Sequence, residues 1–216
     1  MARSNTYLQR RGASRRLEFL TDGVFAIVAT LLVLEIKVPE LEHGMEKTEL
    51  INSLKKIVPS VVAFIFSFLN VMVFWINHDA IGRVTVYFNR KITFLNILFL
   101  LFISLVPFTS GLVSAYPDSL TAISIYGIVL MFCSFTGALM YFEIAFNSDM
   151  MEKQVSMEKR RLAAKLIYTG PSIYVVAILL GFIHVFIPVI IYILTPIVFL
   201  FLPEMDLNEI SDHENA

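Results

Sequence analysis

The sequence has little charge: Asp, Glu, Lys and Arg make up only 16% of its 216 residues, whereas a soluble domain has about a quarter. The charged residues are grouped between long apolar runs, and the mean hydropathy of the chain is +0.74. An apolar run of about 18 residues or more can cross the ~30 Å hydrocarbon core of a bilayer. This distribution excludes a soluble globular domain and predicts an integral membrane protein.

The chain also has little of the chemistry that metal sites and enzymes use. Its single cysteine, Cys133, excludes an intrachain disulfide and a zinc site built from cysteines. The four histidines are scattered, and the chain has no glycine-rich nucleotide motif, HExxH motif or TVGYG filter. We therefore expect no enzymatic activity, no cofactor, no resident metal ion and no nucleic-acid partner.

Six apolar segments predict an all-α fold with six membrane spans. These spans lie at about 17–38, 57–78, 92–115, 119–146, 163–182 and 184–203. We predict one transmembrane domain over 1–203, followed by an acidic cytoplasmic tail over 204–216. The connection 39–56 is the only sizeable segment on the outer side, and a short surface helix is expected there.

The distribution of basic residues predicts the orientation of the spans. Of the 17 Lys and Arg residues, only Lys37, Lys47, Lys55 and Lys56 lie at the end of the first span or in the connection to the second span. The others lie before the first span, in the second–third and fourth–fifth connections or, for Lys165, at the start of the fifth span. Cytoplasmic connections carry the excess of Lys and Arg, so we expect both termini in the cytoplasm.

The first span presents an apolar stripe with helical spacing. Ile27, Thr30, Leu31 and Leu34 follow one another at i, i+3, i+4 and i+7. Asp22 lies about 140° away from Ile27 on the same wheel, so we expect the carboxylate to face other helices. Such a stripe is produced by ordinary helix packing as well as by a pore.

The start of this helix resembles a known family. Arg16-x-x-x-Leu20-Thr21-Asp22, followed by Gly-Val-Phe-Ala-Ile, is similar to the RxxxFSD motif that opens the first helix of TMEM175-family potassium channels. Leu20 and Thr21 depart from the motif, although Thr keeps the hydroxyl. The resemblance covers about residues 16–110 and includes the following segments: Trp75-Ile-Asn77-His78, Leu95-Asn96 and Leu105-Val-Pro107-Phe108.

The resemblance implies a homotetramer in the bilayer, with a central pore lined by the first helix of each subunit. The matching pore-lining positions are Ile27, Thr30, Leu31 and Leu34, with Ile27 the narrowest. A hydrophobic ring gates by dewetting, and we expect K⁺ to permeate with weak selectivity over Na⁺. One six-helix copy is the prokaryotic form, which implies the inner membrane of a prokaryote. A secondary transporter, a proton-conducting protein and a non-conducting scaffold remain the alternatives.

Several polar residues are expected at one depth near the cytoplasmic side. Asp22 needs donors in a low-dielectric environment, so we hypothesise a polar network that anchors the first helix. Its expected members are Arg16, Thr21, Asp22, Asn77, His78 and Asn96. In the fourth span, Glu143 is expected either to pair with Lys165 or Arg161 or to lie at the surface.

Overall fold

The computed structural model describes residues 2–38, 47–146, 150–151 and 155–201, with side chains described from 15 in the first range and from 50 in the second. It confirms the predicted all-α fold with several membrane-spanning helices. The α-helices are α1 (Ala2–Leu31), α2 (Lys47–Lys56), α3 (Val58–Arg83), α4 (Arg90–Ser104), α5 (Val106–Ala115), α6 (Leu120–Phe146), α7 (Met157–Gly181) and α8 (Phe186–Phe201). The predicted tail, 204–216, lies outside the described residues.

Five helical segments are long and apolar enough to span a bilayer. They are Arg15–Glu35, Val58–Arg83, Arg90–Ala115, Leu120–Phe146 and Met157–Gly181. α8 is a shorter apolar helix of 16 residues, which corresponds to about 24 Å at 1.5 Å per residue. The connection expected to hold a surface helix contains α2.

The first span differs from its predicted range at both ends. α1 begins at Ala2, well before the apolar run, and its last turn tightens into a 3₁₀ turn over Leu32–Glu35. The basic N-terminal residues therefore continue the helix beyond the apolar segment. The helix does not extend to the predicted end at 38.

The third predicted span is two helices rather than one. α4 ends at Ser104, α5 begins at Val106, and the amide of Leu105 donates to the carbonyl oxygen of Phe102 at 3.0 Å. Pro107 has no backbone N–H, so it cannot donate to the carbonyl four residues earlier. The interruption is therefore explained by one proline near the middle of the membrane.

α6 is the central helix of the subunit. It packs against α4, α5 and α7, while α8 packs against α3 and α7. α1 packs against α3, α4 and α5 and thus lies on the other side of the bundle from α7. The first helix therefore forms one flank of the subunit.

Buried polar side chains join the spans within the core. The Ser67 hydroxyl donates to Ser110 Oγ at 2.9 Å and contacts the Tyr126 hydroxyl at 3.1 Å. Asn70 Nδ2 donates to the carbonyl of Tyr192 at 3.0 Å, and the Tyr174 hydroxyl donates to Asn70 Oδ1 at 3.0 Å. These bonds connect α3 to α5, α6, α7 and α8, which positions the helices that support α1.

Candidate functional site

The two faces of α1 have opposite environments within one subunit. Phe25, Val28 and Leu32 are buried against the neighbouring helices. On the opposite face, Ile27 is 59% exposed and Leu34 is 68% exposed. The structure therefore leaves uncovered the apolar stripe that the helical wheel identifies.

Thr30 adds a polar atom to this exposed face. Its hydroxyl donates to the carbonyl oxygens of Ile27 at 2.8 Å and of Ala26 at 3.1 Å, within its own helix. A hydroxyl also has two acceptor lone pairs. The proton is therefore directed back to the helix, and the oxygen can accept from water or contact a cation.

The side chains on this exposed stripe change in size along the helix. Gly23 and Ala26 are exposed on the same face as Ile27, and a Cβ built on Gly23 would meet nothing within 4 Å. Ile27 is therefore the first bulky side chain of the stripe after this stretch of small residues. Leu31, 42% exposed, and Leu34 continue the bulky part toward the other end of the span.

A buried hydrogen-bonded trio anchors the opposite face of α1. Asn96 Nδ2 donates to Thr21 Oγ1 at 2.9 Å, and His78 Nε2 lies 2.7 Å from Asn96 Oδ1. Because the amide oxygen only accepts, His78 carries its proton on Nε2 in this arrangement. All three side chains are buried, so the trio ties α1, α3 and α4 together at one depth.

Aromatic rings surround the histidine of this trio. The ring of His78 stacks on Phe99 with a centroid separation of 5.6 Å and an interplanar angle of 16°. Phe25 of α1 also contacts both rings, at centroid separations of 6.4 Å from His78 and 5.8 Å from Phe99. Packing on three helices therefore holds the imidazole in the orientation that its hydrogen bond requires.

Asp22 is not bonded to the trio and has Trp75 as its partner. Trp75 Nε1 donates to Asp22 Oδ1 at 3.0 Å, and both residues are exposed on the single subunit. Trp75 lies one turn before His78 on α3, so both side chains meet α1 from the same helix. The network derived from the sequence omitted Trp75, although an indole N–H near an intramembrane acid is a usable signal.

The other two expected members of the network are not buried with the trio. Arg16 and Asn77 are exposed on the single subunit. Of the expected network, Thr21, His78 and Asn96 are therefore joined by hydrogen bonds, and Asp22 is bonded to Trp75 instead.

Two further acids lie against neighbouring helices. Glu143 of α6 accepts from Lys91 Nζ at 2.6 Å, so its described ion-pair partner is on α4 and is neither Lys165 nor Arg161. Glu35, which ends the 3₁₀ turn, lies against Gly111 of α5, where a Cβ would collide with its carboxylate. The described residues contain no group of three His, Cys, Asp or Glu side chains that could hold a metal ion.

Comparison with known proteins points to one family. Residues 16–107 match the family described as endosomal/lysosomal potassium channel TMEM175. A protein named as a potassium channel in Chamaesiphon minutus is 32% identical over 177 residues, covering 81% of this chain and 87% of the relative. The chain is also 31% identical over 137 residues to a Gallus gallus protein named as the endosomal/lysosomal proton channel TMEM175, covering 59% of this chain but only 27% of that relative.

A solved structure extends the likeness to the whole bundle. The crystal structure of a lysosomal potassium-selective channel TMEM175 homolog from Chamaesiphon minutus superposes with a TM-score of 0.77 at 31% identity. The alignment covers 88% of this chain and 97% of that chain. The similarity therefore includes the last three spans, where the sequence resemblance is limited to hydropathy and number of segments.

Proposed function

The chain belongs to the TMEM175 family of potassium channels, and we propose that four copies of it form a K⁺-preferring cation channel. In this proposal α1 of each copy lines a central pore with Ile27, Thr30, Leu31 and Leu34. The observation that carries it is the exposed apolar stripe of α1, whose opposite face is buried. K⁺ passes down its gradient and is the permeant ion rather than a bound cofactor.

Simple geometry supports Ile27 as the constriction. Adjacent packed helices have axes about 10 Å apart, so four helices around a fourfold axis lie about 7 Å from it. Helix side chains reach about 5–6 Å from their own axis, which leaves a radius of about 1–2 Å. A ring of four isoleucines of that width excludes a hydrated ion and gates by dewetting.

The Thr30 layer supports a preference for cations. Four hydroxyl oxygens one helical turn beyond Ile27 offer partial negative charge without a fixed ion. A single layer of hydroxyls replaces only part of an ion's hydration shell. The expected selectivity for K⁺ over Na⁺ is therefore weak.

The buried trio and the Asp22–Trp75 pair support α1 from behind. The Asp22–Trp75 bond attaches α1 to α3, and the trio attaches α1 to Asn96 of α4, which in turn is bonded to His78 of α3. Arg16 and Asn77 are exposed on the single subunit and belong to this proposal as residues that face a neighbouring copy. The network thereby fixes the rotation of α1 that turns Ile27 toward the pore axis.

The experiment is ion flux in liposomes that contain purified protein, under a K⁺ gradient and after Na⁺ substitution. Ile27→Asn should raise the flux and weaken the preference for K⁺, since a polar ring stays wetted. Ile190→Asn is the matched control because Ile190 is 55% exposed on α8, away from α1. Equal effects of the two substitutions would exclude α1 as the pore helix.

A chemical test is available because the one native thiol is shielded. Cys133 is buried, so Ile27→Cys introduces a single accessible thiol per subunit. A charged, water-soluble thiol reagent should block flux through Ile27→Cys and leave Ile190→Cys unchanged. Unimpaired flux through Ile27→Cys whose thiol has demonstrably reacted would contradict the proposal.

Proton conduction is the second candidate, favoured by the name of the Gallus gallus relative. The stripe from Gly23 to Leu34 carries no ionisable side chain on its exposed face, so protons would need a continuous water file. A pH-sensitive dye in the same liposomes measures proton flux and so distinguishes proton conduction from K⁺ conduction. Proton flux that exceeds K⁺ flux and is abolished together with it in blocked Ile27→Cys would make the pore primarily a proton pathway. Saturating flux coupled to a second ion would instead indicate a transporter.

The proposal also includes location and orientation. The chain is a multi-pass membrane protein, and we place it in the inner membrane of a prokaryote with both termini in the cytoplasm. The supporting observation is the excess of Lys and Arg at the α1, α3–α4 and α6–α7 ends of the bundle. Protease cleavage of a C-terminal epitope in right-side-out spheroplasts would refute this orientation.

A further inference from the structure

A groove lies on the flank of the subunit away from α1. It is formed mostly by α7, with one residue from α8, and has a volume of about 520 Å³. Its lining residues are Lys165, Tyr168, Thr169, Ser172, Ile173, Val176 and Ile191. α7 packs on α6 and α8 and not with α1 among the described contacts, so a pore centred on α1 leaves this groove at the periphery.

We propose that the groove binds one acyl chain of an acidic glycerophospholipid, with its headgroup phosphate at Lys165. Two features of the groove, its graded polarity and its length, carry this inference. The inference rests on the proposed α1-centred assembly for the peripheral position of the groove, but lipid retention is measured separately from ion flux.

The groove is polar at one end and apolar at the other. Lys165 and Tyr168 are at the end nearer the start of α7, and Val176 and Ile191 lie farther into the membrane. Lys165 is exposed and has no ion-pair partner among the described residues. Tyrosine and lysine are the residues that meet lipid headgroups at the membrane interface.

The small residues of the groove present a non-polar surface although they carry hydroxyls. The Ser172 hydroxyl donates to the carbonyl of Tyr168 at 3.0 Å, and that of Thr169 donates to the carbonyl of Leu166. Both hydroxyl protons are therefore used within α7. The recess that these short side chains create is suited to a hydrocarbon chain rather than to a polar solute.

The length of the groove matches one leaflet. The eleven helical steps from Lys165 to Val176 rise about 16 Å, and half of the ~30 Å hydrocarbon core is about 15 Å. Counting about 20 residues back from Gly181, the end of α7, puts the membrane boundary near residue 162. Lys165 then lies about one turn inside, from where its stem can extend to the phosphate layer. By the same count, Val176 lies about 21 Å from this boundary, so the groove begins in the leaflet of Lys165 and ends about 6 Å beyond the midplane.

The charge around the polar end selects an anionic headgroup. Lys165 lies at the end of the bundle that also carries the basic α3–α4 and α6–α7 connections. Each basic residue near an anionic membrane surface contributes about 1 kcal/mol, which corresponds to about a fivefold change in affinity. A zwitterionic lipid with the same chains is expected to bind more weakly by about that factor.

The test is native mass spectrometry of the purified protein with equal amounts of phosphatidylglycerol and phosphatidylcholine of identical chains. The wild type should retain phosphatidylglycerol preferentially, and Lys165→Gln should lose that preference by about fivefold. Ser172→Leu fills the recess and should reduce retention of both lipids, as should Thr169→Leu. Size-exclusion profiles report whether each variant is folded. If one of the two recess variants does not fold, the other still tests the proposal.

Two controls match these substitutions. Lys56→Gln removes the same charge at the opposite end of the bundle, and Val175→Leu enlarges an exposed side chain of α7 outside the groove. Both should behave as the wild type. An unchanged preference in Lys165→Gln, equal losses in Lys56→Gln, or full retention of both lipids in the recess variants would overturn the proposal. Competition by soluble glycerol phosphate as strong as by the lipid would overturn it as well.

Discussion

Replacing Thr21 by valine removes one hydroxyl and keeps the shape of the side chain. Thr21 Oγ1 accepts from Asn96 Nδ2 at 2.9 Å and donates to the carbonyl of Leu17 at 2.9 Å. In Thr21→Val, the buried amide of Asn96 loses an acceptor, and no water can replace it at this depth. Leaving a buried donor unsatisfied costs about 1–3 kcal/mol, whereas an interhelical hydrogen bond in a membrane averages about 0.6 and reaches about 1.7 kcal/mol. We expect Thr21→Val to lower the free energy of unfolding by about 1–2 kcal/mol.

Two controls isolate the interhelical bond. Thr21→Ser keeps the hydroxyl and should cost less than Thr21→Val. Thr136 is also buried, but its hydroxyl donates only to the carbonyls of Phe132 and Cys133 in its own helix. Thr136→Val should therefore have little effect, even though it is the same chemical change at a similar burial.

The assay is reversible unfolding in mixed micelles, followed by circular dichroism as the denaturing detergent is increased. A double-mutant cycle with Asn96→Leu measures the coupling directly, since the two losses should not add if both remove the same bond. Additive effects, or equal effects of Thr21→Val and Thr136→Val, would refute the assignment of the trio as an anchor of α1.

Two other substitutions test close contacts elsewhere in the bundle. Among the described residues, the buried Tyr192 hydroxyl has no hydrogen-bond partner, so Tyr192→Phe should raise the free energy of unfolding by about 1 kcal/mol or more; a loss in the same micelle assay would mean that the hydroxyl has a partner. Gly111→Ala should change the melting temperature measured by circular dichroism only slightly, because the added methyl group meets the carboxylate end of the flexible Glu35 side chain, which can move aside. A large loss that persists when Glu35 is also replaced by alanine would show that Gly111 is needed for another reason.

Much of α1 could be predicted from periodicity alone. The apolar stripe is a property of one helix, and a 100° step identifies Ile27 and Leu34 as neighbours on a face without any tertiary information. Whether that face is buried depends on α3, α4 and α5, which a single-helix pattern does not contain. The same limit explains why a packing stripe and a pore stripe look identical in sequence.

The pairing of the polar side chains was harder to predict than their shared depth in the membrane. Counting residues from the membrane boundary places Thr21, His78 and Asn96 at one level, but the pairing depends on how each helix is rotated. Asp22 meets Trp75, whose side chain is mostly apolar although its indole N–H can donate, and the network predicted from polar side chains does not include it. Glu143 reaches across to Lys91 on α4 because α4 and α6 are packed together, which sequence separation does not indicate.

The interruption at Leu105 divides the third span into two halves that support different parts of the first helix. The first half, α4, carries Asn96 and is tied to the trio, while the second half, α5, packs against the 3₁₀ turn that ends the first helix. A missing backbone bond at Pro107 lowers the resistance to bending at this joint. A change in the bend at this joint would therefore shift the support of one end of the first helix relative to the support of its other end.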